Sequence, residues 1–342
     1  MVPQGLQSTA QLSNDHDLAL VDLDGVVYRG HLPISYASES LNQLQSQGVT
    51  VLYATNNASR TPENVAEQLV GLGIKTEPNK VLTSAQACAI NMTKYLPKGA
   101  KILVIGGAGL IQAVTSQGFQ VVSSAEDNPA AVAQGYSPEV GWKDLAEAAY
   151  AITGGATHFA TNKDLSIPTA RGYAPGNGTL VLAVEHATGQ SAISSGKPSS
   201  LMYQIGIEKA QAKAPLVIGD RLDTDLAGAR EADIPGLLVF TGVNRIKDTA
   251  LAPKHLRPSY IGRDLRCLFE AHPNVVATEN GYYICNKASV TMAEGGIVKI
   301  TQGNPDTDLL DIARASIVAS WNYLDQDETR KDIELPEFLL AI

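Results

Sequence analysis

The sequence predicts an α/β protein: a parallel-sheet core, an α/β segment inserted into it, and a small α+β extension behind it. Three observations predict this. Short apolar runs alternate with helix-like stretches through roughly the first 80 residues. The same alternation returns from Lys197 to about Tyr260, after a long intervening α/β stretch. Beyond residue 273 the pattern changes to short β-branched segments and then one long amphipathic run. Strands alternating with helices imply a parallel, helix-covered sheet, and such sheets gather ligands at the carboxyl ends of their strands.

The elements follow in order. Leu18-Ala19-Leu20-Val21 is apolar throughout and reads as a buried strand. Ile34 to Gly48 reads as a helix ending at a glycine, and Val49 to Ala54 as a second strand. Thr61-Pro62-Glu63-Asn64 opens another helix, with Thr61 as N-cap and Pro62 in the first helical position. In the inserted stretch, Lys101–Ile105 and Gln120–Val122 read as strands, Leu110–Gln117 as a helix, and Lys143–Tyr150 as helical. His158-Phe159-Ala160 is a short strand, and Leu180 to His186 is apolar again. Ala214–Ile218, Asp225–Glu231 and Gly236–Phe240 restore strand, helix and strand. Arg263 to His272 connects to the tail segments Val275–Thr278, Tyr282–Ile284, Ala288–Thr291 and Ile297–Ile300, and Asp306 to Leu324 reads as a long helix.

Bulk composition narrows the partners. The 342 residues are 44% hydrophobic and 18% charged, enough for a sizeable core and too many for one ordinary domain. The formal charge of −9 argues against nucleic acid or an anionic membrane as partner. No apolar run approaches the ~18 residues of a spanning helix, and the start MVPQGLQSTAQLSNDHD lacks a basic-then-apolar signal pattern. A soluble, cytoplasmic protein is expected. Cys88, Cys267 and Cys285 lie far apart without metal-ligand spacing and read as buried free thiols.

Polar groups cluster just past the strands. Asp22-Leu23-Asp24-Gly25-Val26 sets two carboxylates two residues apart, and Gly25 permits a tight turn that aims both into one crevice. A carboxylate attacks phosphorus well once a divalent cation neutralises the phosphate, and a second carboxylate can protonate a leaving alkoxide. Read alone, the run is a turn after a strand, where Asp and Gly are simply favoured. Thr55-Asn56-Asn57 offers a hydroxyl and backbone N–H groups to phosphoryl oxygens, or is a polar loop. Gly196-Lys197-Pro198 supplies one lysine, which alone would be a solvated one. Asp220, Asp223 and Asp225, after the strand at 215–218, form a hard-oxygen set suited to Mg²⁺, or an acidic loop capping the next helix.

Together these motifs resemble the haloacid dehalogenase (HAD) superfamily of phosphatases, over residues from about 15 to 260 and with all four of its motifs in order. The resemblance implies a Rossmann-like core and an aspartyl-phosphate mechanism. It makes Asp22 the nucleophile, Asp24 the acid/base, Thr55 a phosphate ligand and Lys197 the group that stabilises the phosphoryl intermediate. It implies Mg²⁺ on Asp22, Asp220 and the backbone carbonyl of Asp24, with Asp225 just outside and Asp223 supporting. Gly25, Asn56 and Asn57 join the phosphate-binding set. About 140 residues separate Thr55 from Lys197, and with VDLDGVVYRG, ATNNAS and GDRLDTD this resembles the class IIA branch, which has a C2-type cap at that point. The implied division is a core of residues 15–82 and 188–262, a cap of 83–187 and an extension of 263–342. A cap loop in that branch helps choose the substrate; Ala160-Thr161-Asn162-Lys163-Asp164 resembles it, with Asn162 and Asp164 suited to a polyol phosphate or, equally, an ordinary turn. The tail resembles that of actinobacterial glycerol-3-phosphate phosphatases, whose C-terminal region looks like part of a GNAT acetyltransferase fold. That likeness puts glycerol 3-phosphate first, ahead of 2-phosphoglycolate, nucleoside monophosphates and pyridoxal phosphate. A homodimer is common in this branch.

Two rivals weigh less. Gly106-Gly107-Ala108-Gly109 after the strand at 101–105 suggests a dinucleotide fingerprint. Counted from Gly107, however, the third glycine position is Gln112, and the only acidic residues about 20 further on, Glu126 and Asp127, sit in a polar loop. A dehalogenase would keep Asp22 but typically lacks the second aspartate, so Asp24 favours phosphoryl transfer.

Overall fold

The structure, a computed structural model, describes residues 5–169, 171–327 and 329–341. The first four residues of the N-terminal run read above lie outside them. Two compact units divide the chain: residues 1–51 with 207–342, and residues 52–206.

In the first unit four parallel strands lie side by side in the order Tyr260–Gly262, Gly236–Val239, Pro215–Gly219, Leu18–Val21. Leu18–Val21 is buried at every position, as its unbroken apolar run requires of a strand covered on both faces. The helix expected from Ile34 begins at Ala37, because Tyr36 takes a left-handed conformation with φ 65° just before it. The helix expected from Asp225 is preceded by a π-helical turn, Leu222–Leu226, and runs Ala227–Glu231.

The tail belongs to this same unit. Val276–Ala277, Tyr282–Cys285, Ala288–Ala293 and Ile297–Gln302 form an antiparallel sheet in chain order, and the helix Leu309–Asp325 packs on it. One hydrophobic core runs through both parts: Leu226, Leu238, Phe240 and Ile261 share a cluster with Val290, Val298, Ile317 and Trp321. Polar contacts seal it. Trp321 Nε1 donates to the Thr249 carbonyl at 2.8 Å, and Arg257 donates to both oxygens of Asp325 at 2.8 and 2.7 Å.

In the second unit the strand Thr50–Thr55, which starts two residues before the boundary, pairs in parallel with Val81–Thr83. Thr61 caps the helix Pro62–Gly71, accepting from the Asn64 N–H at 3.3 Å. A five-stranded parallel sheet follows, in the order Ile193–Ser194, Thr157–Ala160, Ala131–Gln134, Lys101–Ile105, Gln120–Val122. Its central strand, Ala-Val-Ala-Gln, carries one β-branched residue and is invisible to propensity; complete burial makes it a strand. The apolar run at 180–186 lies within a helix, Asn177–Thr188, and Ser166–Thr169 with Gly172–Pro175 forms a hairpin.

Candidate active site

Asp22 and Asp220 each follow directly on a strand. The Asp22 N–H still donates to the Ile218 carbonyl at 2.8 Å, after which the chain folds tightly: the Leu23 carbonyl receives the N–H groups of Val27 and Tyr28, and Gly25 N–H reaches the Tyr28 carbonyl. Gly25 sits at φ +92°, and a Cβ there would lie 2.4 Å from Asp220 Oδ2. Only glycine meets both conditions. Asp220, 1% exposed, follows Pro215–Gly219. Asp225 lies in the π-helical turn, its carboxylate accepting the Arg221 N–H at 3.2 Å and packing where a Cβ on Gly219 would be.

Ligand oxygens of Asp22, Asp220 and Asp225 all lie within 4.8 Å of one another. Three carboxylates so close repel unless a cation sits among them, and an all-oxygen hard donor set is what Mg²⁺ takes. The glycine-lined cradle around Asp220 holds one of these donors in place. The residues fit a divalent cation. Asp24 lies outside the trio, and its residue is solvent-exposed. Partial burial of its carboxyl raises its pKa, against the Gly30 N–H and the Arg29 charge. Solvent screens that shift, but its direction favours the protonated form that a proton donor needs. Asp223 turns away and pairs with Arg221 at 2.8 Å.

The second unit gathers the remaining residues. Thr55, 7% exposed, ends its strand, and its hydroxyl accepts the Asn57 N–H at 3.1 Å. Asn57 spends its side-chain oxygen on the N–H and hydroxyl of Ser59. Asn56 is a hub. Its Nδ2 lies 3.1 Å from both oxygens of Asp164 and from the Lys197 carbonyl, while its Oδ1 accepts the Lys197 N–H at 2.8 Å. Its own carbonyl accepts from Ser84 Oγ and Asn162 Nδ2. Lys197, 3% exposed, donates Nζ to the Ala54 carbonyl at 3.0 Å. A lysine that looked solvated in isolation is thus deeply buried beside the Thr55 strand. Within this unit, Asn162 and Asp164 converge with Asn56 and Lys197.

The dinucleotide reading loses its space. A Cβ on Gly107 would meet the Ser59 carbonyl at 2.9 Å, and one on Gly109 the Arg60 carbonyl at 2.3 Å. The protein's own backbone fills the close approach that a pyrophosphate would need. Cys88, Cys267 and Cys285 are buried free thiols, and burial pushes Cys88 up to about 12.

One segment escaped the sequence reading. Thr241-Gly242-Val243-Asn244 follows the strand Gly236–Val239 and contacts Asp220 through the Val243 N–H, 2.7 Å from Oδ2. Its signal was available, since a polar, glycine-bearing turn after an apolar strand also marks the Asp22 and Asp220 loops.

The chain belongs to the haloacid dehalogenase-like hydrolases. The family model of that description matches residues 19–120, and a HAD-hydrolase-like model matches residues 194–268. Among its relatives is the D-glycerol 3-phosphate phosphatase of Mycobacterium tuberculosis, 41% identical over 326 residues, 95% of this chain and 91% of that protein. An acid sugar phosphatase of Staphylococcus aureus is 34% identical over 251 residues, 72% of this chain and 94% of its own length. The crystal structure of the M. tuberculosis glycerol phosphate phosphatase in complex with magnesium superposes with a TM-score of 0.84 at 38% identity, over 96% of each chain. Among the described residues no helix is long and apolar enough to cross a membrane.

Proposed function

We propose that this chain is a Mg²⁺-dependent phosphatase of small phosphate monoesters, with glycerol 3-phosphate its principal substrate. The carboxylate trio of Asp22, Asp220 and Asp225, with Asp24 two residues past the first, carries the reading. Asp22 attacks phosphorus while Asp24 gives its proton to the departing alcohol. The aspartyl-phosphate on Asp22 is then hydrolysed by a water from which Asp24 takes a proton, releasing phosphate and restoring the Asp22 carboxylate and the protonated Asp24. Lys197 and the Thr55 hydroxyl are assigned to the equatorial oxygens, where charge stabilisation supplies most of the acceleration. Mg²⁺, held by Asp22, Asp220 and the Asp24 carbonyl with Asp225 alongside, neutralises phosphate charge when bound. Gly25, Asn56 and Asn57 shape the phosphate-binding loops.

The choice of substrate rests on the mycobacterial relative, whose likeness continues through the tail, and on Asn162 and Asp164, whose mixed donors and acceptors suit hydroxyl groups. The same reading divides the chain into a core of 15–82 and 188–262, a cap of 83–187 and an extension of 263–342. A phosphate-release screen across phosphorylated metabolites with Mg²⁺ tests it. Glycerol 3-phosphate should lead; a clear preference for 2-phosphoglycolate, a nucleoside monophosphate or pyridoxal phosphate would displace it. Asp22→Asn should abolish turnover and leave the fold intact. Residual activity within about tenfold of wild type, ~1.4 kcal/mol of barrier, would remove Asp22 as nucleophile.

A further inference from the structure

We propose that Thr241–Asn244 is a positioning clamp that presets Asp220 for the cation, with Gly242 and Asn244 as its determining residues. The proposal rests on the reading that Asp220 holds Mg²⁺. Four residues make contacts to three separate pieces of the site. The Thr241 hydroxyl donates to the Gly25 carbonyl at 2.7 Å, holding the loop that carries Asp22 and Asp24. Arg29, from the far side of that loop, donates to the Thr241 carbonyl. The Val243 N–H binds Asp220 Oδ2 at 2.7 Å, and the Asn244 N–H binds the Asp220 carbonyl at 3.1 Å. Asn244 Oδ1 accepts the Leu222 N–H at 2.8 Å, where the π-helical turn bearing Asp225 begins.

Asp220 is therefore gripped at its side chain and its carbonyl by one short turn, and Asn244 ties that turn to the start of the Asp225 segment. Gly242 is required for a separate reason. A Cβ there would fall 1.8 Å from Asp220 Oδ2 and 2.3 Å from its Cγ, so any side chain must expel the carboxylate. The φ of Gly242 is not in the left-handed range, so close packing rather than backbone freedom demands glycine. A donor held this way does not have to be ordered when the metal arrives, which strengthens binding without altering the chemical step. Both are positioning residues: they act through Asp220.

The test is Mn²⁺ binding to the full chain, read by the paramagnetic resonance of free Mn²⁺, beside the Mg²⁺ dependence of phosphate release and thermal unfolding in EDTA. Asn244→Ala should raise the Mn²⁺ Kd and the half-saturating Mg²⁺ about tenfold, because Asp220 must then be ordered when the metal binds. Turnover at saturating Mg²⁺ should stay within a few-fold of wild type. Asn244→Asp keeps the acceptor and should bind Mn²⁺ at least as tightly as wild type. Gly242→Ala should weaken Mn²⁺ binding by more than Asn244→Ala, and it decides the matter if Asn244→Ala does not fold. Folded Asn244→Ala and Gly242→Ala proteins with wild-type Mn²⁺ affinity would overturn the clamp, even if their melting in EDTA falls. Asp220→Asn separates the two ideas. If it loses Mn²⁺ while the clamp variants retain it, the clamp alone fails; if it keeps Mn²⁺, the metal assignment fails and takes the clamp with it.

Discussion

Arg257→Met probes whether the tail is an appendage or a structural part of the first unit. The Arg257 side chain is 5% exposed and meets the tail at several points. Its Nε donates to the Ala252 carbonyl at 3.1 Å, its two terminal nitrogens grip Asp325, and its guanidinium lies 4.9 Å from the Trp321 ring centroid. Methionine keeps most of the stem's packing and removes the charge and every donor. A fully buried pair broken this way costs ~3–5 kcal/mol. Asp325, however, is 30% exposed and keeps Lys254 at 3.6 Å, so water and a second cation absorb much of that penalty. About 1.5 kcal/mol for the charge-assisted bonds, about 1 for the abandoned Ala252 carbonyl and about 0.5 for the ring contact sum to about 3 kcal/mol. Urea unfolding at pH 7, followed by tryptophan fluorescence, measures it, because Trp321 is buried at this seam while Trp142 is 77% exposed. The midpoint should fall with the slope unchanged and the transition single. A loss below about 0.5 kcal/mol, or a separate early transition of the tail, would refute a shared cooperative core.

Two further predictions concern stability. Burial holds His158 and His272 at about 4, each 2% exposed. Below the ordinary value near 6.5 the unfolded chain takes up protons that the folded chain refuses, so acidification destabilises, from about pH 6.5 down to about 4. Each histidine should cost about 2 kcal/mol between pH 7 and pH 5 in urea titrations, and replacing either with glutamine should flatten the slope; an unchanged slope would mean that the ring is protonated when folded. Truncation after residue 262 strips Val290, Val298, Ile317 and Trp321 from the common core. It should yield aggregated or unfolded protein, measured by sedimentation and circular dichroism, and a stable, fully active fragment would show that the core closes without the tail.

Much of the fold was legible because its signals are local. An unbroken run of four apolar residues such as Leu18–Val21, closed by the Asp22-Leu23-Asp24-Gly25 turn, is too short for a helix and suits a strand buried on both faces, and Thr61-Pro62 is a helix start by its own chemistry. Ala131–Gln134 was not legible, because alanine and glutamine carry no strand preference and its neighbours in the sheet come from about 30 residues away on either side. Leu180–His186 shows the converse, an apolar run whose helical period emerges only over its full length, Asn177–Thr188.

By itself, the sequence determined the chemistry on offer, namely which carboxylates, hydroxyl and lysine stand just past strand ends, and through the resemblance of those motifs taken together it implied a hydrolase of phosphate esters rather than a dinucleotide enzyme. Each motif spans only a few residues, and their order along the chain, not any contact between them, carries the reading. The tertiary structure alone decided what holds these groups. Asn56 finds Asp164 and Lys197 across more than a hundred residues, Asn244 finds Leu222 across a strand and a helix, and Gly242 is glycine because of Asp220. The tail became part of a core for the same reason, since an amphipathic helix states that one face must be buried but not against what.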